Sequence, residues 1–266
     1  MKEVFVGIIA DSLTQRRFPR MQDWLLALLF AVIAFTYASV GFGGGSSYLA
    51  LLALAAFPFQ EIRLTALICN IIVVTGGTLI FFRNKQLNPR KILPLVVFSV
   101  PAAFLGAKMR MSEDTFFGLL GVSLLVAATL LWFQPERAAE DSVSAPQPVR
   151  DGLLGGGIGL LSGMVGIGGG IFLSPLLHFF RWDTARKIAA AASVFILANS
   201  LSGIFGQLAH LPPDLNWSRI ALLGASVFVG GQAGSRISVS YFNPLLIRRL
   251  TAVLVLVAGV EVLTRH

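Results

Sequence analysis

A short glycine-rich pattern occurs twice in this chain, and exposed glycine backbone is suited to holding a small anion. The first copy is Val40-Gly41-Phe42-Gly43-Gly44-Gly45, and the second is Val165-Gly166-Ile167-Gly168-Gly169-Gly170. The two copies lie 125 positions apart. Both interrupt apolar stretches, where each glycine costs a helix roughly 0.8–1 kcal/mol relative to alanine. Because the chain accepts this unfavourable free energy twice, we expect the glycines to have a functional role.

The chemistry these glycines offer is a cluster of uncovered backbone N–H groups. Helices that start at Ser46 and Ile171 would point their positive ends toward the glycines, and helix N-termini bind anions. Polar residues of the following segments could complete such a site. The alternative is that the small and amide residues only pack and bridge membrane helices. The candidate substrate-binding residues are Gly43, Gly44, Gly45, Ser46, Asn70, Thr75, Gly168, Gly169, Gly170, Ile171, Asn199 and Ser202.

The composition indicates an integral membrane protein. Of the 266 residues, 55% are hydrophobic and only 13% are charged, whereas soluble domains carry about 25% charged residues. The net charge of +8 comes from basic residues clustered between apolar segments. Such clusters are orientation signals for a membrane protein, and they lack the continuous basic stripe of a nucleic-acid-binding protein. The lone Cys69 excludes an internal disulfide.

The apolar segments indicate a duplicated layout. Residues 24–57 would reach roughly 50 Å as one helix against a ~30 Å hydrocarbon core, so the glycines divide this stretch into two arms. Three further apolar segments, at residues 65–82, 92–107 and 116–133, complete the first half, with Glu61 in the loop before them, and the second half repeats the order. The predicted units are an N-terminal segment (1–23, with an interfacial helix as one alternative), a first membrane repeat (24–134), a linker (135–150) and a second membrane repeat (151–266).

The distribution of basic loops favours inverted repeats. If each glycine break turns the chain back as a hairpin, each half makes three further crossings. The basic loops around 83–91, 134–150, 181–187 and 236–249 then share one face, as the positive-inside rule requires. The opposite face receives Arg63, Arg219 and others. We therefore expect an all-α integral membrane protein with two homologous inverted repeats, each a glycine-broken re-entrant hairpin plus three transmembrane helices.

Motifs of enzymes and of proton-driven pumps are missing from the sequence. Neither glycine pattern completes Gly-x-Gly-x-x-Gly, and neither His-Glu-x-x-His nor Gly-Lys-Ser/Thr occurs. Ser162 and Ser226 have no convincing histidine partner for an intramembrane protease. No acidic residue lies deep inside an apolar segment, where a proton relay would need one. We expect no enzyme activity, no cofactor and no metal site.

The two glycine patterns, with the small residues or proline that follow them, resemble the TauE/SafE family of sulfite-exporter-like permeases. The second copy, from Gly163 through Ser174-Pro175, is the closer match, and the run Asn199-Ser200-Leu201-Ser202-Gly203 also looks like that family. The resemblance covers residues 24–263. The first copy departs from it with Ser46-Ser47-Tyr48, where the second has Ile171-Phe172-Leu173. These differences fall where we place the substrate site.

The resemblance implies transport of sulfite, sulfonates or related small anions, often outward and driven by an ion gradient. The first hypothesis is thus an inverted-repeat exporter in the cell (inner) membrane. A passive anion channel and a non-transporting membrane scaffold are the alternatives. The expected partners are a small anionic substrate and the lipid bilayer, with no nucleic acid, and a homodimer is left open.

Overall fold

The computed structural model describes residues 23–39, 43–134, 144–208, 211, 215–236 and 244–265, and the regular elements within these ranges are all helices. This confirms the predicted all-α class for the described part of the chain. The helices are α1 (Asp23–Ser39), α2 (Gly45–Leu54), α3 (Phe59–Arg83), α4 (Pro89–Lys108), α5 (Glu113–Trp132), α6 (Pro148–Val165), α7 (Gly170–Phe179), α8 (Ala185–Gln207), α9 (Trp217–Arg236) and α10 (Pro244–Arg265).

Several helices have the length and composition of membrane spans. Among the described residues, α3, α4, α5 and α8 are long and apolar enough to cross a bilayer. Apolar helices of ten residues, α2 and α7, follow the two glycine breaks. The predicted apolar segments end close to the helix ends, with the largest difference at α3, which begins at Phe59 rather than Thr65. The helix continues through Glu61 and Arg63 because both side chains are buried against other helices.

The predicted unit boundaries are only partly covered by the structure. Asp23 opens α1, while the rest of the predicted N-terminal segment lies outside the described residues. Residues 135–143 of the predicted linker also lie outside them. Helix α6 begins at Pro148, so the last three residues of that linker are helical. Proline at this position fits because the first helical N–H needs no intrahelical acceptor.

Helices α4 and α6 pack closely and run in the same direction. A Cβ atom added to Gly155 would overlap the carbonyl of Leu95, and one added to Gly163 would overlap that of Ala103. The contact residues rise in number along both helices together, which means that the two helices are parallel. The first helix after the linker therefore lies beside the fourth helix of the first half.

Helices α1 and α9 form a second pair of this kind, again with one helix from each half. A Cβ atom added to Gly230 would overlap the carbonyl of Ala31, and one added to Gly234 would overlap that of Phe35. These two helices are parallel as well. In both pairs, glycine allows the backbones to approach closely, which is the usual way membrane helices pack.

Helices α3 and α8 cross at the centre in opposite directions. The side chain of Leu67 lies against Gly203, and Ser193 lies near Gly77, so the contacts advance in opposite senses along the two helices. Helix α3 also packs on α9 and the short helix α2, whereas α8 packs on α4 and the short helix α7. They therefore position the glycine breaks.

A charged cluster joins four helix ends around Arg219, at the start of α9. Its Nε donates to Asp23 at 3.0 Å and its Nη1 donates to Glu61 at 3.3 Å. The guanidinium also stacks over the ring of Phe57, with 4.8 Å to the ring centroid. The start of α1, the turn after α2 and the start of α3 thus lie together.

A second cluster surrounds Lys91, near the start of α4. Its Nζ donates to the carbonyl of Trp182 at 2.6 Å and to Asp183 at 3.2 Å. The indole of Trp182 donates to Asp151 at 2.9 Å. The start of α6 and the turn after α7 therefore meet at this end of α4, as the corresponding helix ends meet at Arg219.

Candidate functional site

Both short helices begin at glycines with left-handed backbone. Gly44 precedes α2 with φ +84° and Gly169 precedes α7 with φ +84°. Glycine adopts this conformation without the clash that a Cβ atom would introduce. Neither helix start has a side-chain hydrogen bond as a cap. The first N–H groups of both helices, which have no acceptor within the helix, are therefore left for another acceptor.

The two glycine breaks meet at Asn70 of α3. Its Nδ2 atom donates to the carbonyl of Ile167 at 3.0 Å. A Cβ atom added to Gly43 would lie 2.5 Å from Asn70 Oδ1, and one added to Gly168 would lie 2.7 Å from Asn70 Nδ2. A Cβ atom added to Gly45 would lie 2.5 Å from the Ile167 carbonyl oxygen. One amide thus contacts both breaks, and the breaks contact each other.

The two halves contribute differently to this meeting point. In the first half, Gly45 faces the polar side chain of Asn70, whereas in the second half the equivalent Gly170 faces the apolar side chain of Ile196. Gly168 contacts both Asn70 and Ile196. The side chains that face Gly45 and Gly170 therefore differ in polarity between the two halves.

Buried polar atoms with no partner lie on the helices around the breaks. Within the described part of the chain, the hydroxyl groups of Ser46, Ser162 and Ser200 and both amide atoms of Asn199 have no hydrogen-bond partner. Ser200 Oγ would lie 3.2 Å from a Cβ atom on Gly168. Leaving such a group unpaired costs about 1–3 kcal/mol. Hydroxyl and amide groups can donate to an acceptor that enters the site.

Three of the predicted site residues have other surroundings. Thr75 lies on an exposed part of α3 and donates to the carbonyl of Ile71 in its own helix at 2.6 Å. Ser202 donates to the carbonyl of Val100 at 2.6 Å and so links α8 to α4. Ile171 is buried but apolar, so only its backbone can contact a polar ligand. The remaining predicted residues lie at the breaks or on the buried faces of α3 and α8.

Arg63 is a buried cation beside the second break, and the sequence analysis assigned it to a membrane face instead. The side chain lies inside the helix bundle with the residue only 5% exposed. Its Nη2 atom donates to the carbonyls of Gly163 at 2.9 Å and Ala107 at 3.2 Å. A Cβ atom added to Gly166 would lie 3.2 Å from Arg63 Cα. No sequence signal separates this arginine from one that reaches the membrane interface.

The acidic residues do not form a cation site in the described part of the chain. No group of three or more His, Cys, Asp or Glu side chains there could hold a metal ion. The buried carboxylates of Glu61, Asp151 and Asp183 each face a basic side chain in the clusters at the helix ends.

Known proteins resemble this chain along most of its length. The family described as "Sulfite exporter TauE/SafE" matches residues 26–262. The chain is 35% identical over 244 residues to the probable membrane transporter protein y4hK of Sinorhizobium fredii, covering 90% of this chain and 97% of that protein. It is 24% identical over 267 residues to the probable membrane transporter protein YunE of Bacillus subtilis, covering 88% and 96%. No solved structure matches the chain.

These matches agree with the apolar helices and the repeated glycine breaks. The relatives carry the names of membrane transporters, so the expectation of a transporter rather than an enzyme is confirmed. The expected multi-pass membrane protein is supported by the family together with the four helices that, in the part of the chain the structure describes, are long and apolar enough to span a bilayer. This chain belongs to the TauE/SafE family and is a membrane transporter of that type.

Proposed function

We propose that the protein exports a small anion, such as sulfite or a sulfonate, across the cell (inner) membrane. The substrate binds where the two glycine breaks meet, near the middle of the membrane. The observation that carries this proposal is Asn70, which contacts both breaks among buried donor groups that lack partners. Uncapped helix starts favour negative charge, and hydroxyl groups supply further donors.

The architecture we propose is a pair of inverted repeats. Helices α1 and α9 are parallel, α4 and α6 are parallel, and α3 and α8 are antiparallel. Helix α8 is also parallel to α4, since Ser202 contacts Val100 and Gly206 lies against Phe104. Helix α9 is parallel to α3, since Gly224 lies against Ile72 and Gly76 against Gln232. Corresponding helices of the two halves then point in opposite directions. Many secondary transporters have this symmetry and bind substrate at the interface of the repeats.

Each glycine break belongs, in this proposal, to a re-entrant hairpin. Arg219 contacts residues at the start of α1 and in the turn after α2, so the chain returns to the end from which it came. Trp182, in the turn after α7, likewise contacts Asp151 at the start of α6. Helices of ten residues rise about 15 Å, half of a ~30 Å core, so α2 and α7 reach only mid-membrane.

Alternating access follows from this arrangement by the general mechanism of inverted repeats. One repeat rocks against the other around a fixed central site, which opens to each side in turn. The contact between the breaks at Asn70 and Ile167 would keep the two halves of the site together. The direction of export rests on the family resemblance.

Two other functions remain as alternatives to this proposal. A passive anion channel would give conductance without saturation or coupling to an ion gradient. A membrane scaffold would assemble a partner and carry no solute. The scaffold gives no account of the buried, unpartnered donors around the glycine breaks, whereas the channel differs from a transporter in the kinetics of flux.

The test is flux in proteoliposomes that contain the purified protein. Radiolabelled sulfite, sulfate and a short sulfonate are followed in uptake and efflux, for the unaltered protein and for Asn70→Ala and Gly169→Ala. Gly157→Ala is the matched control, because a Cβ atom there meets nothing within 4 Å. Saturable flux that both site variants lose and the control retains supports the proposal. Absence of flux for all three anions, in folded protein, contradicts it.

A further inference from the structure

We propose that Arg63 binds the charged group of the substrate and makes the second glycine break the anion-holding half of the site. This inference rests on the proposed function, because it assigns the charge recognition at the same site. Arg63 thereby becomes a specificity-determining residue that selects for negative charge. The first half of the site then contributes the polar contacts of Asn70.

The hydrogen bonds of Arg63 leave much of its guanidinium available. Both bonds in the structure come from Nη2, to the carbonyls of Gly163 and Ala107. The Nε atom is buried and has no partner in the described part of the chain. A guanidinium has five N–H donors in a planar arrangement that matches two oxygen atoms of an oxyanion. The unused donors are of the kind a sulfite or sulfonate group accepts from.

The charge of Arg63 is not neutralised by a carboxylate. It forms no ion pair with any residue in the described ranges, whereas Lys91 and Arg219, which are also partly or fully buried, each face an acidic side chain. The two carbonyls belong to the last turns of α4 and α6 and carry only partial negative charge. A buried charge without a full counter-charge is unfavourable unless something else compensates for it. An anionic substrate would supply that compensation.

The position of Arg63 connects it directly to the second break. Gly166, the residue that ends α6, would bring a Cβ atom within 3.2–3.3 Å of the Cα, Cβ and Cγ atoms of Arg63. Ser162, one turn earlier in α6, has a buried hydroxyl without a partner. Ser162 Cβ also lies 3.4 Å from a Cβ atom added to Gly169. The cation and this unpaired hydroxyl group therefore both lie beside the second break.

The second half of the chain does not provide an equivalent cation. Gly43 and Gly45 contact Asn70, and the equivalent Gly168 and Gly170 contact Ile196, so positions of α3 and α8 correspond with an offset of 126. The counterpart of Arg63 is therefore Ala189. The α8 position equivalent to Arg63 therefore contributes no positive charge, and the anion is held off-centre toward Arg63.

The competing explanation is that Arg63 only ties the ends of α4 and α6 together. Two variants separate the explanations by kinetics in proteoliposomes, with KM and maximal rate measured for sulfite and for a short sulfonate. Arg63→Gln removes the charge and keeps hydrogen-bonding capacity. Arg63→Lys keeps the charge but replaces the planar group with a single ammonium. Arg219→Gln is the control, because this arginine faces carboxylates at a helix end.

If Arg63 contacts the anion, Arg63→Gln raises the KM for both substrates by about tenfold or more, since a charged contact is lost. Arg63→Lys retains flux but changes the ratio of the two KM values, because an ammonium cannot make the two-point contact. Arg219→Gln leaves that ratio unchanged. Where Arg63→Gln does not fold, the KM ratio of Arg63→Lys decides alone.

Folded Arg63 variants with unaltered KM values and an unaltered ratio overturn the inference and leave the proposed function intact. Failure of the proposed function is a different result, because the unaltered protein would then show no saturable flux of any of the tested anions.

Discussion

The side-chain amide of Asn70 donates a 3.0 Å hydrogen bond to the carbonyl of Ile167, which lies 97 positions further along the chain. Asn70 is in the middle of α3, and Ile167 is inside the second glycine break. The bond therefore joins the centre of the first half to the break of the second. The carbonyl oxygen of Ile167 also lies against Gly45 of the first break, so the position of one break depends on the other.

The first prediction concerns this bond. Asn70→Ala removes the only side-chain donor that reaches Ile167 in the described structure, and with it an interaction of about 1 kcal/mol. The site also loses the polar side chain that contacts both breaks, so we expect saturable flux in proteoliposomes to fall by about tenfold or more. Thr75→Ala is the control on the same helix, because that hydroxyl bonds within α3 and is exposed. Equal flux in the two variants would contradict a role of Asn70 at the site.

The second prediction concerns the left-handed backbone at the start of α7. Gly169→Ala places a Cβ atom in an unfavourable φ of +84° and 2.8 Å from the ring of Phe195. We expect a loss of at least about 1–2 kcal/mol in stability, seen as a lower melting temperature in detergent. Gly157→Ala lies in a helix with open space beside it and should keep or raise the melting temperature. Similar melting temperatures for both variants would show that the break tolerates a side chain.

The sequence predicted the fold well because its signals are local. Glycine clusters interrupt helices, and apolar runs of membrane length mark the spans, so the helix order could be predicted without contacts. The predicted start of α3 at Thr65 was wrong, because the charges of Glu61 and Arg63 indicated loop residues and the helix begins at Phe59. Each is buried by a partner on another helix, Arg219 and the α4 and α6 carbonyls respectively. Such partners cannot be known before the helices are packed.

The site was predicted less completely, for a geometric reason. Asn70 and Thr75 are five positions apart, which rotates them by about 140° around a helix, so they cannot both face the breaks. Ser202 is a residue type that could bind an anion, but its hydroxyl donates to the carbonyl of Val100. Ser200, which lies against Gly168, has no feature in the sequence that distinguishes it from Ser202. Helix rotation therefore decides which polar residues reach the site.

The third prediction concerns the topology of the inverted repeats. In a Cys69→Ala background, which has no other cysteine, we expect Asn84→Cys and Arg186→Cys to react with an impermeant thiol reagent from one side of the membrane. Arg110→Cys should react from the opposite side, because α4 crosses between residues 84 and 110. If each glycine break were only a kink within a single crossing, residues 84 and 186 would be labelled from different sides. That labelling pattern would exclude the hairpins.

The fourth prediction concerns the cluster at the start of α4. Asp183 is 4% exposed and accepts from both Lys91 and Lys187. Asp183→Asn leaves the buried Lys91 without its counter-charge, so we expect a loss of about 3–5 kcal/mol, measured by unfolding in detergent. Lys187→Met removes a partner that is 41% exposed and should cost no more than about 1 kcal/mol. Equal losses would mean that the buried pair is not what joins these helix ends.

The last prediction uses two polar residues of α8 with opposite roles. Both amide atoms of Asn199 are buried without a partner, so Asn199→Leu removes an unsatisfied group and should raise stability by about 1 kcal/mol. The same change removes a donor from the site, so anion flux should fall. Ser202→Ala breaks the 2.6 Å bond to Val100 and should lower stability while flux is retained.

The two α8 variants thus separate stability from transport: Asn199→Leu raises stability and lowers flux, whereas Ser202→Ala lowers stability and leaves flux unchanged. A general disturbance of folding cannot produce this pattern. Melting temperatures in detergent and initial rates in proteoliposomes measure both quantities on the same preparations. If Asn199→Leu kept full flux, the unpaired amide would be a packing defect, and the anion would be held without a contact to Asn199.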